Sequence, residues 1–264
     1  MDKGSGKTLQ SGYLEVGDGH ELFYETYGNP DGVPVLFLHG GPGVGCSDKD
    51  KRFFDADKFY VIFFDQRGAP RSKPVASLKN NTTQKLVEDI NKLLNFFQVE
   101  KAIFFGGSWG TTLALVYAIQ FPHRVISMIL RGVFLGTREE INQFAKKGGA
   151  VQLFYTEAWE RLISWVPQSR RSDITGYYLE QMLSPDADIR RKFIYEWEYY
   201  GASAIKLESN PEEIEQALTD SPLAPSAIIL AYYASNNCFL EDNYILKNAG
   251  KIEHIPTSIV HGRY

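Results

Sequence analysis

The sequence contains only two cysteines, Cys46 and Cys238, and no long uninterrupted hydrophobic run. Two cysteines provide neither a disulfide framework nor the spacing of a metal site. The apolar stretches are shorter than the roughly 20 residues that a transmembrane helix needs. The polar start of the chain, MDKGSGKTLQSG, also lacks the apolar region of a signal peptide. We therefore expect a soluble cytoplasmic protein that does not act on a membrane.

The sequence also lacks an excess of basic residues. It has 28 Lys and Arg residues against 32 Asp and Glu residues, which gives a formal net charge of −4. An acidic protein is a poor match for the phosphates of nucleic acids, so we do not expect a nucleic-acid partner. Hydrophobic residues make up 44% of the 264 residues. This content favours a packed globular core over disorder.

The first half of the sequence alternates between strand and helix patterns. YLEVGDGHELFYETYG alternates on both sides of Gly-Asp-Gly, which predicts an antiparallel hairpin. VPVLFLHG and FYVIFFDQRG are short apolar runs typical of strands buried on both faces of a sheet. Helix and strand patterns then follow in the order TTQKLVEDINKLLNFFQ, KAIFF, TTLALVYAIQF and VISMILRG. This order predicts a doubly wound α/β sheet.

The pattern changes between about Gly136 and Gly250, where strand runs disappear. Stretches such as AWERLISWV and FIYEWEYY indicate several helices without a sheet of their own, and TSIVHG then resumes the sheet. We therefore interpret residues 1–135 and 251–264 as a sheet core and residues 136–250 as a helical insertion.

The strongest chemical signal is Gly106-Gly107-Ser108-Trp109-Gly110. Gly-x-Ser-x-Gly is a weak motif alone, but here it lies between a buried strand and a helix. That context is typical of a nucleophile elbow, a strained turn that raises the serine hydroxyl above the sheet. Gly106 and Gly110 are expected to be required because a Cβ atom would clash in so tight a turn. The alternative is a structural serine in a strand–helix turn.

A second signal, FLHGGPGVG, follows an earlier strand. A serine nucleophile needs two backbone N–H donors for the oxyanion, one from the residue after it and one from such a glycine-rich loop. Trp109 and Gly41 are the candidates, and the alternative is a plain loop. His39 is not expected to be the base, because it precedes the nucleophile and lies in the oxyanion loop.

Taken together, HGGPG, DQRG, NTT before a helix, GGSWG followed by TTLALVYA, and LRGVF resemble the proline iminopeptidases. These are serine peptidases of the α/β-hydrolase fold that release N-terminal proline. The resemblance runs from about Tyr13 to the last residue and is thin through the insertion. It implies a nucleophile at Ser108, oxyanion donors at Gly41 and Trp109, a helical cap, no metal or organic cofactor, and a peptide with N-terminal proline as the partner.

The cap is expected to bind the substrate's free α-ammonium group, which needs a carboxylate in a desolvated site. EWEYY offers Glu196 and Glu198. From the spacing alone, a glutamate on the helix surface is the commoner interpretation. In the family a Trp-Glu pair of the cap holds the ammonium, so the resemblance implies Trp197 and Glu198. It also implies that Phe134 of RGVF contacts the proline ring.

Two positions depart from the family pattern. Leu230 stands where the family has a second cap carboxylate, and Ala234 stands where it has a phenylalanine that walls the pyrrolidine pocket. We expect these departures to reduce the selectivity for proline more than they reduce hydrolysis by the serine nucleophile.

The rest of the catalytic triad follows the nucleophile in this fold, first the acid and then the histidine. The family motif His-Gly-Arg-Tyr-Asp places the acid directly after Tyr264. The histidines after Ser108 are His123, His254 and His261, and all three precede that point. The resemblance thus implies that the triad Asp and His are absent from residues 1–264, and that the chain is truncated before the last strand and helices.

A chain without the triad acid and base is expected to be inactive, with apolar sheet surface left exposed. Two other hypotheses remain beside the prolyl aminopeptidase. One is an esterase or amidase on the same fold, and the other is a non-catalytic binding protein on a hydrolase scaffold.

Overall fold

The computed structural model describes residues 8–208, 210–220 and 226–263. Within these ranges seven strands form one sheet in the order β1-β2-β4-β3-β5-β6-β7. The strands are β1 Thr8–Gly17, β2 His20–Gly28, β3 Val33–Leu38, β4 Phe59–Phe64, β5 Ala102–Gly107, β6 Val125–Arg131 and β7 Thr257–Val260. β1 and β2 form the predicted antiparallel hairpin, β2 pairs antiparallel with β4, and the other neighbours are parallel. The chain therefore has the predicted α/β fold, with a mixed sheet.

The central strands β3, β4 and β5 are buried on both faces, as their continuous apolar patterns predict. Leu36, Ile62 and Phe104 belong to the core in which helices α1 (Thr83–Phe96) and α2 (Trp109–Gln120) pack. Alternate residues of the same strands, such as Phe37 and Phe63, join a second core on the other face. Side chains alternate across a strand, so each strand supplies both cores.

Helices occupy the segment between β6 and β7, and the described part of that segment contains no strand. They are α3 Arg138–Ala145, α4 Ala150–Phe154, α5 Thr156–Ser164, α6 Ile174–Met182, α7 Ala187–Ser203, α8 Pro211–Asp220, α9 Ser226–Ser235 and α10 Tyr244–Asn248. Trp159, Tyr178 and Trp197 are among the residues of a third hydrophobic core within this helical segment. Ile245 and Ile252, on either side of the boundary predicted at residue 250, both pack in the main core. The division at that residue stays a prediction.

Strand β7 pairs on one side with β6 and forms an edge of the sheet. Ile259 and Val260 on this strand are 62% and 60% exposed. No helix in the described ranges is long and apolar enough to cross a membrane. Tyr264, after which the sequence predicts the triad acid, lies outside the described residues, as do residues 1–7 of the predicted core.

Candidate active site

Ser108 occupies a one-residue turn between β5, which ends at Gly107, and α2, which begins at Trp109. Its backbone has φ 52° and ψ −120°, a conformation that costs free energy for any residue with a Cβ atom. The Ser108 N–H donates to the Arg131 carbonyl oxygen at 2.9 Å, and its own carbonyl oxygen accepts from the Thr111 N–H at 2.8 Å. These bonds to β6 and α2 hold the strained residue in place.

The glycines on either side of Ser108 allow the turn to close. A Cβ atom at Gly106 would lie 2.4 Å from the Gly110 carbonyl oxygen, and one at Gly110 would lie 2.1 Å from the Leu38 carbonyl oxygen. Both distances are far inside van der Waals contact, so both positions require glycine, as the motif predicts. The second distance also shows that α2 begins directly against the end of β3.

The glycine-rich loop after β3 packs on the same turn. A Cβ atom at Gly40 would lie 3.0 Å from the Gly107 carbonyl oxygen and 3.4 Å from the Ser108 Cβ. Gly41, with φ +112°, lines a cavity together with Ser108. Trp109 is the first residue of α2, and the first N–H groups of a helix have no acceptor within the helix. Of the two residues predicted to supply oxyanion donors, Trp109 thus directly follows Ser108 and Gly41 lines the same cavity.

One residue that the sequence did not single out, Gln66, connects these two segments. The Trp109 Nε1–H donates to Gln66 Oε1 at 2.9 Å, and Gln66 Nε2 donates to the His39 carbonyl oxygen at 3.0 Å. All three side chains are buried. The sequence signal for Gln66 is its place in DQRG, directly after β4. The contact of Gln66 with the turn around Ser108 depends on the tertiary structure.

His39 is part of this scaffold. Its Nε2 accepts the Gln66 N–H at 2.9 Å, and its Nδ1 lies 2.8 Å from the Gly40 carbonyl oxygen and 3.2 Å from the Gly45 backbone nitrogen. Burial lowers the pKa of His39, which favours the neutral ring. His39 thus shapes the loop that carries Gly41, in agreement with the expectation that it is not the base.

Ser108 opens onto a cavity of about 290 Å³, close to the lower end of small-molecule sites. The predicted ring contact, Phe134, lines the same cavity, and so do the two departing positions, Leu230 and Ala234. Phe134 is held by α2, because its N–H donates to Thr111 Oγ1 at 2.9 Å and its carbonyl oxygen accepts from Thr112 Oγ1 at 2.6 Å. Ser108 and Phe134 are therefore both anchored to the first turn of α2.

The comparisons with known proteins place this site in a family. A family model described as the alpha/beta hydrolase fold matches residues 33–171. The sequence is 40% identical to a proline iminopeptidase of Arabidopsis thaliana over 256 residues, which cover 96% of this chain and 67% of the relative. It is 41% identical to one of Xylella fastidiosa (strain 9a5c) over 259 residues, which cover 97% of this chain and 82% of the relative. The chain belongs to the proline iminopeptidase family.

Solved structures agree with this family's fold. An esterase of Exiguobacterium antarcticum matches with a TM-score of 0.60 at 20% identity over 96% of this chain and 81% of that one. A proline iminopeptidase-related protein of Thermus thermophilus matches with a TM-score of 0.54 at 19% identity. The match covers 97% of this chain and 89% of that one. At such identities the likeness shows the α/β-hydrolase fold alone.

Trp197 and Glu198, which the proline iminopeptidase resemblance implies for the ammonium group, are not among the described residues that line the cavity with Ser108. Trp197 is buried in the core of the helical segment. The Glu196 carboxylate forms an ion pair with Arg161, whose Nε and Nη2 lie 2.7 and 3.1 Å from the two carboxylate oxygens. Glu198 accepts a 3.1 Å hydrogen bond from Ser226 Oγ, and burial raises its pKa. Ser226 lies four residues before Leu230 on α9, so this carboxylate lies about one helical turn from the cavity wall.

The histidines that follow Ser108 are spread around the sheet. His123 lies in the turn before β6, His254 lies before β7, and His261 follows β7. His261 Nε2 is 3.3 Å from the Val133 carbonyl oxygen. Within the part of the chain that the structure describes, none of the three forms a hydrogen bond with Ser108.

Proposed function

We propose that this protein is a serine aminopeptidase that releases N-terminal proline from peptides. The observation that carries the proposal is the placement of Ser108, Gly41 and Phe134 around one cavity, in a chain about 40% identical to proline iminopeptidases along nearly its whole length. The strained turn exposes the nucleophile, and the neighbouring aromatic side chain offers a surface for an apolar ring.

In this mechanism Ser108 Oγ attacks the carbonyl carbon of the first peptide bond. The N–H groups of Trp109 and Gly41 stabilise the oxyanion, and each such donor is typically worth about 3 kcal/mol in the transition state. The bond to the shortened peptide breaks, its amine leaves with a proton, and water hydrolyses the prolyl ester on Ser108. Phe134 contacts the pyrrolidine ring, while Glu198 beside Trp197 provides negative charge for the ammonium.

The proton of the Ser108 hydroxyl requires a histidine base, oriented by an acid. The expectation that both residues follow Tyr264 in the reading frame stays a prediction, as do the truncation and the inactivity of residues 1–264. The helices of residues 136–250 are proposed to act as the cap, because Leu230 and Ala234 of α9 form cavity wall together with Ser108. A cytoplasmic location and a reaction without metal or organic cofactor also stay predictions.

The test uses protein made from the complete open reading frame. We expect it to hydrolyse proline p-nitroanilide and to react with a fluorophosphonate probe at Ser108, and we expect Ser108→Ala to abolish both. Ser11→Ala, in the exposed part of β1, is the control and should retain both activities. Labelling that persists in Ser108→Ala would contradict the nucleophile assignment.

A short acyl p-nitrophenyl ester separates the rival hypotheses in the same assay. Turnover of the ester without turnover of the prolyl amide would favour an esterase on this fold. An absence of turnover on both substrates, with an intact fold, would favour the non-catalytic binding protein.

A further inference from the structure

The proposed aminopeptidase reaction needs a negative charge beside the N-terminal nitrogen of the substrate, and the cavity contains one carboxyl group. Of the described residues that line the cavity with Ser108, only Glu140 carries a carboxyl group. We propose that Glu140 is a specificity residue that pairs with the N-terminal ammonium of the substrate. The inference rests on the proposed function and adds to it a residue outside the EWEYY segment.

The Glu140 carboxylate is held in position by its own helix terminus. Helix α3 begins after the N-cap residue Thr137, and Glu140 Oε2 accepts from the Thr137 N–H at 3.0 Å and from Thr137 Oγ1 at 2.9 Å. Oε1 accepts from the Leu135 N–H at 3.1 Å. These donors fix the side chain before a substrate arrives, which reduces the entropy lost on binding.

The position of Glu140 suits proline in particular, because the ammonium nitrogen of N-terminal proline is a member of the pyrrolidine ring. A group that pairs with this nitrogen must therefore lie beside the surface on which the ring packs. Glu140 binds the N–H of Leu135, the residue directly after the proposed ring contact, Phe134. Phe134 and Glu140 line the same cavity, so a ring packed on Phe134 occupies the cavity that the carboxylate lines.

The charge of Glu140 is also available to a ligand. In the described part of the chain its hydrogen bonds come from uncharged groups of Leu135 and Thr137, and no Lys or Arg side chain forms an ion pair with it. Glu196 differs, because Arg161 already neutralises it. Glu198, which the proposed function assigns to the same ammonium, is not among the described lining residues and accepts a hydrogen bond from Ser226, so Glu140 is proposed to act in addition to it. A cavity whose one carboxylate has no charged partner among the described residues favours a cation.

The test is Glu140→Gln in the protein made from the complete reading frame. Glutamine keeps the capping interaction with Thr137 through its one carbonyl oxygen. Its amide nitrogen cannot accept the Leu135 N–H bond that Oε1 of Glu140 accepts, so the midpoint of thermal unfolding is measured beside the kinetics and a small decrease is expected. The kcat/KM for proline p-nitroanilide should fall by about 10-fold or more, as expected for loss of a charge-assisted contact. Hydrolysis of a short acyl ester without an amine should remain unchanged.

Glu139→Gln is the matched control, because Glu139 lies in the same first turn of α3 but is exposed. It should leave both substrates unaffected. If Glu140→Gln does not fold, Glu140→Asp keeps the charge but moves the carboxylate back by one methylene, and a smaller loss that is confined to the prolyl amide is expected.

Equal losses on the amide and the ester, or no loss on either, would overturn the role of Glu140 while the aminopeptidase assignment stood. A wild-type protein that hydrolyses the ester but not the prolyl amide would overturn the proposed function, and the role of Glu140 with it.

Discussion

The indole Nε1–H of Trp109 donates a 2.9 Å hydrogen bond to Oε1 of Gln66, across 43 positions of sequence. Through its Nε2, Gln66 also holds the carbonyl oxygen of His39 at 3.0 Å. One buried side chain thereby joins the residue after the nucleophile to the loop that carries Gly41. Oxyanion stabilisation depends on donors held at fixed positions, so this connection should affect the chemical step.

Gln66→Met should therefore lower kcat on both the prolyl amide and the acyl ester, with little change in KM. Removal of one partner from a buried hydrogen bond costs about 1–3 kcal/mol, which corresponds to roughly 5- to 150-fold if the whole cost falls on the transition state. Steady-state kinetics on both substrates measure the effect. Gln120→Met, at the exposed end of α2, is the control. A variant that unfolds earlier but keeps its kcat would show that Gln66 acts on stability alone.

Glu198→Gln tests the carboxylate implied by the family. We expect turnover of the prolyl amide to fall by about 10-fold or more, in line with a charge-assisted contact of roughly 1.5–3 kcal/mol. The ester without an amine should be hydrolysed at nearly the wild-type rate. Glu157→Gln, at an exposed position of α5, serves as the control. Similar losses on both substrates would mean that Glu198 is structural.

The same variant should change stability in a pH-dependent way. Burial raises the pKa of Glu198 above the ordinary value of 4.5, so the folded protein binds this proton more tightly than the unfolded chain does. The ionised carboxylate thus destabilises the fold above its folded pKa, and the penalty disappears as the pH falls through that pKa towards 4.5. Glu198→Gln should raise the thermal midpoint relative to wild type at pH near 7, and by less near pH 4.5. An equal gain at both pH values would contradict the role of ionisation.

Asp89→Asn should destabilise the fold strongly. Asp89 accepts bonds from Arg67 Nε at 2.6 Å and from Nη2 at 2.8 Å, and neither side chain is exposed. Breaking a buried ion pair by removing one partner typically costs about 3–5 kcal/mol, because the other charge stays buried. Since Asp18 Oδ2 also lies 3.0 Å from Arg67 Nη1, we expect a cost near the lower end of that range. Denaturant unfolding of the two proteins measures the difference in the free energy of unfolding.

The control for Asp89→Asn is Glu88→Gln on the same helix, where the exposed Glu88 pairs with Lys85 at 2.8 Å. Such exposed pairs contribute about 0–1 kcal/mol. Comparable effects of the two substitutions would show that Asp18, which lies 3.0 Å from Arg67 Nη1, is sufficient to pair with Arg67 when Asp89 is removed.

The sequence by itself determined those features whose physical cause lies in adjacent residues. The elbow is the clearest case, because a Cβ at Gly106 would meet the Gly110 carbonyl oxygen within the same five positions, although the requirement for glycine at Gly110 comes from the distant Leu38. The hairpin of β1 and β2 and the strands with two buried faces were likewise predictable. Alternating polar and apolar residues indicate a strand with one buried face, and a continuous apolar run indicates a strand with two. The helical character of the segment between β6 and β7 follows from the same local patterns.

Only the tertiary structure decided which carboxylates face the cavity. Glu140, Glu196 and Glu198 all lie on helices, and a helical sequence does not specify which neighbour covers each side. In the fold, Glu196 forms an ion pair with Arg161, and Glu198 accepts a hydrogen bond from Ser226. Glu140 lines the cavity together with Phe134. Gln66 is the same kind of case, because its role comes from contacts with Trp109 and His39 that are distant in the chain. Such roles depend on long-range packing, which no short stretch of sequence encodes.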